Sequence, residues 1–357
     1  MSLKLLFVST PVGPLGSGAG GGVELTLYNM ATEMGRRGHT LETIAPQGSG
    51  LDGLQIIPIP GELQVSAQNG GRDAPISFPA DSVLGNMWNR ARQVQENFDV
   101  IVNFAYDWLP FYLTPFFDRP VAHIVSMASL SEAMDDIIIK THRTAPHLLA
   151  FHSATQAQSF NLSAPLQILG NGLDLSLYEF SPAADGTLAW VGRIAPEKAL
   201  EDGIIAAKKV GLPLKVFGQI ANLEYWQSLQ ERYGPIDYRG FLPTLELQRQ
   251  LKECSALLMT PRWLEAFGNV CIEALACGVP VIAYGRGGPA EIIEDGKTGF
   301  LVQPDSIDGL VAALSRLGEI DRSMCRRSVQ SHYSLSALGD RLERWLYEIN
   351  DLKFERS

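Results

Sequence analysis

Short, uninterrupted apolar runs alternate with amphipathic stretches along this chain, and the alternation starts twice. The first run, Leu3–Val8, ends in a Pro/Gly-rich loop, as expected for a strand buried on both faces of a parallel sheet. A helical stretch at Val23–Arg37 follows, with Gly38 placed to end it. Further strands are expected at His39–Ala45, Leu54–Ile59, Asp99–Phe104, Val121–Ser126, Leu148–His152 and Leu166–Leu169, with a helix over 82–97 and a polar, mobile loop over 62–80. The pattern restarts at Thr187–Val191. Strands at Leu214–Phe217, Ile236–Tyr238, Ala256–Met259, Val279–Ala283 and Gly299–Val302 then alternate with helices at Leu200–Val210, Glu224–Tyr233, Leu245–Cys254, Asn269–Ala276 and Pro289–Ile293. Strands alternating with helices imply parallel α/β sheets. At 357 residues the chain also exceeds the roughly 250–300 residues that one core serves. Two domains are therefore expected, 1–175 and 176–337. A last helix over 338–357, with Leu338, Leu342, Trp345 and Ile349 at helical spacing, has an apolar stripe to bury on either unit and is assigned to the first.

Charge narrows the partners. With 29 basic against 39 acidic residues, a net of −10, and no Lys/Arg-rich run, the chain lacks a nucleic-acid footprint. Its four cysteines form no CxxC, which fits a reducing compartment. Leu3–Val8 is too short for a signal sequence, and no uncharged apolar stretch reaches the ~18 residues of a spanning helix, so a cytoplasmic location is expected. Oligomeric state is not legible.

In open α/β sheets, ligands bind beyond the C-terminal ends of strands. Three loops there carry chemistry. Gly16-Ser17-Gly18-Ala19-Gly20-Gly21 precedes a helix and offers backbone N–H groups to an anion. It formally satisfies a dinucleotide motif, but its thirteen-residue loop and the Ala45-Pro46 end of the second strand lack that motif's context. Gly192-Arg193-Ile194-Ala195-Pro196-Glu197-Lys198 places two cations beside a helix start, a natural seat for a diphosphate. Pro261–Glu273 carries Glu265 in a loop and Glu273 in an otherwise apolar helix, where a carboxylate needs a partner such as a vicinal diol. The N–H groups of Phe267, Gly268 and Asn269 open that helix and can meet a phosphate. No D-x-D occurs, and no metal is expected.

Together these segments resemble glycosyltransferase family four, of the GT-B fold. The resemblance rests on Gly192-Arg193…Glu197-Lys198, the Glu265/Glu273 pair, Cys277-Gly278-Val279-Pro280-Val281, Gly287-Gly288-Pro289-Ala290-Glu291, Gly296–Val302 and Asn171-Gly172-Leu173-Asp174. It implies two Rossmann-like domains facing across a cleft and a retaining transfer from a nucleotide sugar. By it, Arg193 and Lys198 bind the donor diphosphate, Glu273 holds the ribose, and Glu265 with the Phe267–Asn269 amides holds sugar and phosphate. Arg193, Lys198 and Glu265 thus become the catalytic set, with Glu265 electrostatic rather than nucleophilic. Gly192 belongs to the same loop, Phe217-Gly218 and Gly240-Phe241-Leu242 flank the base, and Gly21-Gly22 close over the phosphates. The chain departs from the family where Ser126 stands at a common histidine position, with His123 upstream, and where His-Asp-Trp becomes Tyr106-Asp107-Trp108.

Residues 104–117 hold seven aromatics in fourteen positions, a wall on which a planar acceptor can stack. Tyr106, Asp107, Trp108 and Ser126 are the expected acceptor contacts. The first half, especially Phe7–Leu27 and Asn103–Phe117, together with Arg193–Ala207 and Pro261–Glu273, is similar to cyanobacterial enzymes that glucosylate tetrahydrobiopterin from UDP-glucose, which implies a pteridine acceptor and UDP-glucose as donor. Another small acceptor (a sugar or polyol), a non-catalytic nucleotide-sugar-binding protein and an NAD-dependent oxidoreductase are the alternatives.

Overall fold

The computed structural model describes residues 2–67 and 70–354, so residues 68 and 69 of the polar 62–80 loop lie outside the described residues. The chain forms two compact units, Met1–Gly172 with Leu335–Ser357, and Leu173–Ser334.

The first unit runs β1 (Lys4–Val8), α1 (Gly22–Arg36), β2 (Thr40–Pro46), β3 (Ile56–Ile59), α2 (Val83–Val94), β4 (Val100–Asn103), α3 (Trp108–Leu113), β5 (Val121–Val125), α4 (Glu132–Thr144), β6 (Leu149–Phe151), α5 (Ala154–Gln158) and β7 (Gln167–Ile168). Its seven parallel strands lie in the order β3-β2-β1-β4-β5-β6-β7. Val8 pairs with both Ile44 and Asn103, so β1 and β4 end level where the strand order reverses. Loops leaving a sheet at such a reversal splay apart and leave room for a ligand. Four of the five residues of β1 are buried, the both-faces burial expected of its apolar run.

The second unit repeats the plan. It runs β8 (Leu188–Val191), α6 (Leu200–Val210), β9 (Leu214–Phe217), α7 (Leu223–Tyr233), β10 (Asp237–Tyr238), α8 (Thr244–Leu251), β11 (Ala256–Met259), α9 (Asn269–Ala276), β12 (Val281–Tyr284), α10 (Pro289–Ile292), β13 (Gly299–Val302), α11 (Ile307–Leu314) and α12 (Arg322–His332). Six parallel strands lie in the order β10-β9-β8-β11-β12-β13, and the reversal falls between β8 and β11.

The last helix, α13 (Leu335–Phe354), belongs to the first unit and packs on α1. Leu338, Leu342, Trp345, Leu346 and Ile349 share one buried cluster with Leu27, Met30 and Met34. Arg37 fastens the pair by donating to Asp340 (2.8 Å) and Glu343 (2.9 Å) while also bonding Glu33 (2.7 Å) on its own helix.

Candidate active site

In the second unit the site grows from the loop after β8. Gly192 N donates to Phe217 O at 3.0 Å. Gly218 must be glycine here: it has φ +134°, and a Cβ on it would fall 1.9 Å from Gly192 O. Beyond Gly192, Arg193 pairs with Glu197 at 2.8 Å. Lys198 is followed by Ala199 in the left-handed region, φ +47°, uncommon for a residue with a side chain. The buried Thr260 hydroxyl lies 3.1 Å from Lys198 O and 2.8 Å from Ala199 O, and it receives the Trp190 indole N–H at 3.1 Å. One hydroxyl after β11 therefore holds the turn that presents Lys198.

Lys198 Nζ meets Glu265 Oε2, and the Trp263 indole N–H donates to the same oxygen at 3.0 Å. The Lys198 ammonium also lies over the Trp263 ring, 4.7 Å from its centroid, and the Arg193 guanidinium lies 5.8 Å from it. Burial alone would raise the Glu265 carboxyl, but the Lys198 charge and hydrogen bond, the Trp263 N–H and Arg193 hold it below the usual range. Arg193, Lys198 and Glu265 are thus brought together. Trp263, which binds them into one cluster, was given no role by the sequence. Its signal was an aromatic in a strand-end loop between charged residues. The loop is pressed close by Gly287 and Gly288. A Cβ on Gly287 would sit 2.3 Å from Glu265 O, and one on Gly288 2.1 Å from Phe267 O.

Gly268, φ +98°, turns the chain into α9, whose first residue is Asn269. Phe267 is buried and meets Tyr333 edge-on at 5.9 Å. Glu273, one turn further along α9, accepts a 3.0 Å hydrogen bond from the Tyr178 hydroxyl. Phe217 is 1% exposed, so its ring belongs to the core and only its backbone borders this edge. Phe241 is exposed and Leu242 half-buried.

In the first unit the loop after β1 differs from the expected open anion seat. The amides of Gly16 (2.9 Å) and Gly18 (3.3 Å) donate to Glu24 Oε2, and the Gly20 amide donates to Oε1 at 2.6 Å. The loop's amides already hold a carboxylate from its own helix, only 7% exposed. Glu24 thus occupies amides that the dinucleotide motif would offer to a phosphate. An acidic residue in the first helical turn was the available signal. Gly21, φ +56°, and Gly22 remain exposed at the start of α1.

The loop after β4 carries Asp107 and Trp108. Asp107 immediately precedes α3, and Gln64 Nε2 donates to its carboxylate at 3.4 Å. Burial pushes its pKa up to about 6, and the Leu109 and Trp108 amides and Gln64 only partly offset it. Trp108 is half-buried and stacks on Tyr112, with centroids 4.5 Å apart and planes at 17°; Tyr112 and Phe116 reach solvent. Tyr106 is a core residue instead, its hydroxyl donating to Ala128 O at 3.2 Å and its pKa raised by burial. Ser126 is half-buried just past β5. His123 is fully buried, stacked on Phe111 at 4.1 Å and within 2.8 Å of Thr114 Oγ1; burial pushes its pKa down to about 3, so it is neutral.

Among the described residues, no group of three or more His, Cys, Asp or Glu side chains is placed to hold a metal ion. No described helix is long and apolar enough to cross a membrane.

Two doubly wound units with loops at the strand-order reversals define the GT-B fold, and solved glycosyltransferases share it. HepE of Anabaena, solved with UDP and glucose, superposes with a TM-score of 0.76 at 18% identity, covering 97% of this chain and 99% of that one. Residues 180–332, most of the second unit, match the family model described as Glycosyl transferases group 1. A D-inositol 3-phosphate glycosyltransferase of Mycobacteroides abscessus is 30% identical over 221 residues, 56% of this chain and 48% of its own length. An exopolysaccharide phosphotransferase of Streptomyces coelicolor is 30% identical over 193 residues, 52% of this chain and 20% of its own length. The chain thus spans about half or less of the length of these curated relatives.

Proposed function

We propose that the chain is a retaining, nucleotide-sugar-dependent glycosyltransferase. The second unit holds the donor and the first supplies acceptor contacts. The observation that carries this reading is the cluster of Arg193, Lys198, Trp263 and Glu265 at the β8/β11 reversal. Two cations with pre-placed partners suit a diphosphate whose charge grows as it leaves. In the transfer, the bond from the sugar's anomeric carbon to the diphosphate breaks, and a bond to the acceptor forms on the same face. The acceptor's proton goes to a leaving phosphate oxygen. Glu265 stabilises charge near the sugar, and Glu273 binds the ribose.

The finer reading is glucosyl transfer from UDP-glucose to a pteridine such as tetrahydrobiopterin. Support for a flat acceptor is the Trp108–Tyr112 stack beside Asp107. A polyol acceptor is the second reading, favoured by the inositol phosphate glycosyltransferases among the relatives. Incubating the protein with UDP-glucose and other nucleotide sugars against pterins, sugars and inositol phosphates, with products weighed by mass spectrometry, decides among these. Transfer should persist in EDTA, because the cations substitute for a divalent ion. Activity that is lost on chelation and restored by Mg²⁺ or Mn²⁺ breaks the diphosphate assignment. Donor binding with neither transfer nor donor hydrolysis makes the chain a binding protein instead.

A further inference from the structure

Tyr178 lies in the segment that opens the second unit, just past the single turn Leu175–Leu177, and is 4% exposed. Its hydroxyl donates to Glu273 Oε1 at 3.0 Å, while Glu273 Oε2 receives no hydrogen bond among the described residues. The placement is braced. Arg326 Nη1 donates to Tyr178 O at 2.9 Å and to Ala276 O at 2.7 Å, and Nη2 donates to Leu175 O at 3.1 Å. One guanidinium therefore fastens the Tyr178 segment to the end of α9, the helix that carries Glu273. Burial pushes the Tyr178 phenol up, and the Glu273 charge pushes it further, so it stays a donor. Burial also raises Glu273, and the phenol's hydrogen bond opposes that rise.

We infer that Tyr178 is a positioning residue for nucleotide recognition, fixing the Glu273 carboxylate so that its free oxygen faces the ribose hydroxyls. The inference rests on the proposed reading of Glu273 as the ribose ligand. A carboxylate that can rotate loses part of its preference for a vicinal diol; one oxygen held by a buried phenol leaves the other in a set direction. No bond is made or broken by Tyr178, and its effect passes through Glu273.

The test is calorimetric titration of UDP, 2′-deoxy-UDP and 3′-deoxy-UDP into the full chain. Wild type should bind at least one deoxy nucleotide about tenfold more weakly than UDP, as expected for a lost hydrogen bond to a charged group. Glu273→Gln should bring all three to within about twofold of each other. Tyr178→Phe, which keeps the ring and its packing, should lower the discrimination to about threefold and weaken UDP itself. If Glu273→Gln loses the discrimination but Tyr178→Phe keeps it, or weakens all three nucleotides equally, Tyr178 has only a packing role and the inference is overturned. If Glu273→Gln keeps the wild-type ratio, the ribose reading fails and takes this inference with it.

Discussion

The loops that follow β1 and β8 sit at corresponding places in their sheets, and at each a carboxylate from elsewhere in the unit meets groups that could hold an anion. They differ in how that carboxylate is held. After β1, Glu24 comes from the helix that the loop itself starts and accepts from the amides of Gly16, Gly18 and Gly20, with no salt bridge to it among the described residues. After β8, Glu265 reaches Lys198 from a separate loop beyond β11, and Arg193 is paired with Glu197. A neutral amide nest filled from within is a structural element. A lysine whose counterion comes from another loop can share its charge with a ligand phosphate, because an ammonium has three donors. The same position in a repeated architecture therefore holds its carboxylate with neutral amides in one unit and with a lysine from another loop in the other.

The most severe break of this contrast is Lys198→Ala. On the proposed reading Lys198 faces a leaving diphosphate, so its removal should lower kcat/KM by roughly 10²-fold or more, with kcat falling along with donor affinity, and Arg193→Ala should act in the same direction. Turnover at the wild-type rate in either variant would end the diphosphate assignment.

Glu24→Ala should act on stability instead. It strips the Gly16, Gly18 and Gly20 amides of their carboxylate acceptor; Gly16 and Gly18 are exposed, so water can replace it there, and the loss should be about 1–2 kcal/mol, visible as a lower urea midpoint. Donor affinity measured on the folded fraction should stay near wild type. If donor affinity falls as sharply as in Lys198→Ala while the midpoint is unmoved, the β1 loop is a ligand site and the contrast dissolves.

Asp107→Ala should raise the acceptor KM by about tenfold, the scale of one charge-assisted hydrogen bond, and leave donor titration unchanged. Asp107 precedes α3 without a well-formed side-chain capping bond. A purely structural role would therefore appear as equal weakening of both substrates and a lower melting temperature.

The alternation of strands and helices was legible because apolar runs such as Leu5–Val8 and Val100–Val102 are buried completely. Helices went unread where the period was blurred. In α4, Ile137, Ile138 and Ile139 are consecutive, so no stripe stands out, although Ile137 and Ile138 are buried and Ser131 caps the start. Around α3 the crowding of aromatics suggested a wall, but the rings divide: Phe104, Tyr106 and Phe111 fill the core while Tyr112 and Phe116 face out. Composition cannot sort such rings, since aromatic residues serve cores and sites alike. At the donor side, loop motifs placed Arg193, Lys198 and Glu265 at one edge. Thr260 and Tyr178 were invisible because their roles depend on contacts between segments distant in sequence: Thr260 holds the Lys198 turn, and Tyr178 holds Glu273. Glu24 was given no role, because nothing in the sequence says that a carboxylate in the first helical turn folds back onto the amides of the preceding loop.

The smallest expected effect is a difference of sign with pH. Asp107 is desolvated with no salt bridge among the described residues, and its carboxyl is pushed up to about 6. A folded-state pKa above the unfolded one means that the folded protein binds the proton more tightly. Its stabilising contribution is complete below about pH 4 and is lost as pH rises through about 6. Asp107→Asn removes the titration, so the variant should match wild type near pH 4 and exceed it near pH 7. The gain should be on the order of 1 kcal/mol, because the half-buried carboxylate is partly screened. Glu265 should behave oppositely. Lys198 holds its carboxyl below the usual range, so its contribution is present at neutral pH and lost as pH falls through the folded-state value. Glu265→Gln should then be less stable than wild type at pH 7, with the gap closing in acid. Urea midpoints of the two variants across pH 3.5–7.5 read both signs in one series. Gaps that slope the same way, or stay flat, would mean that the carboxylates of the two units are held alike, and the distinction between a desolvated acid and an ion-paired one would fall.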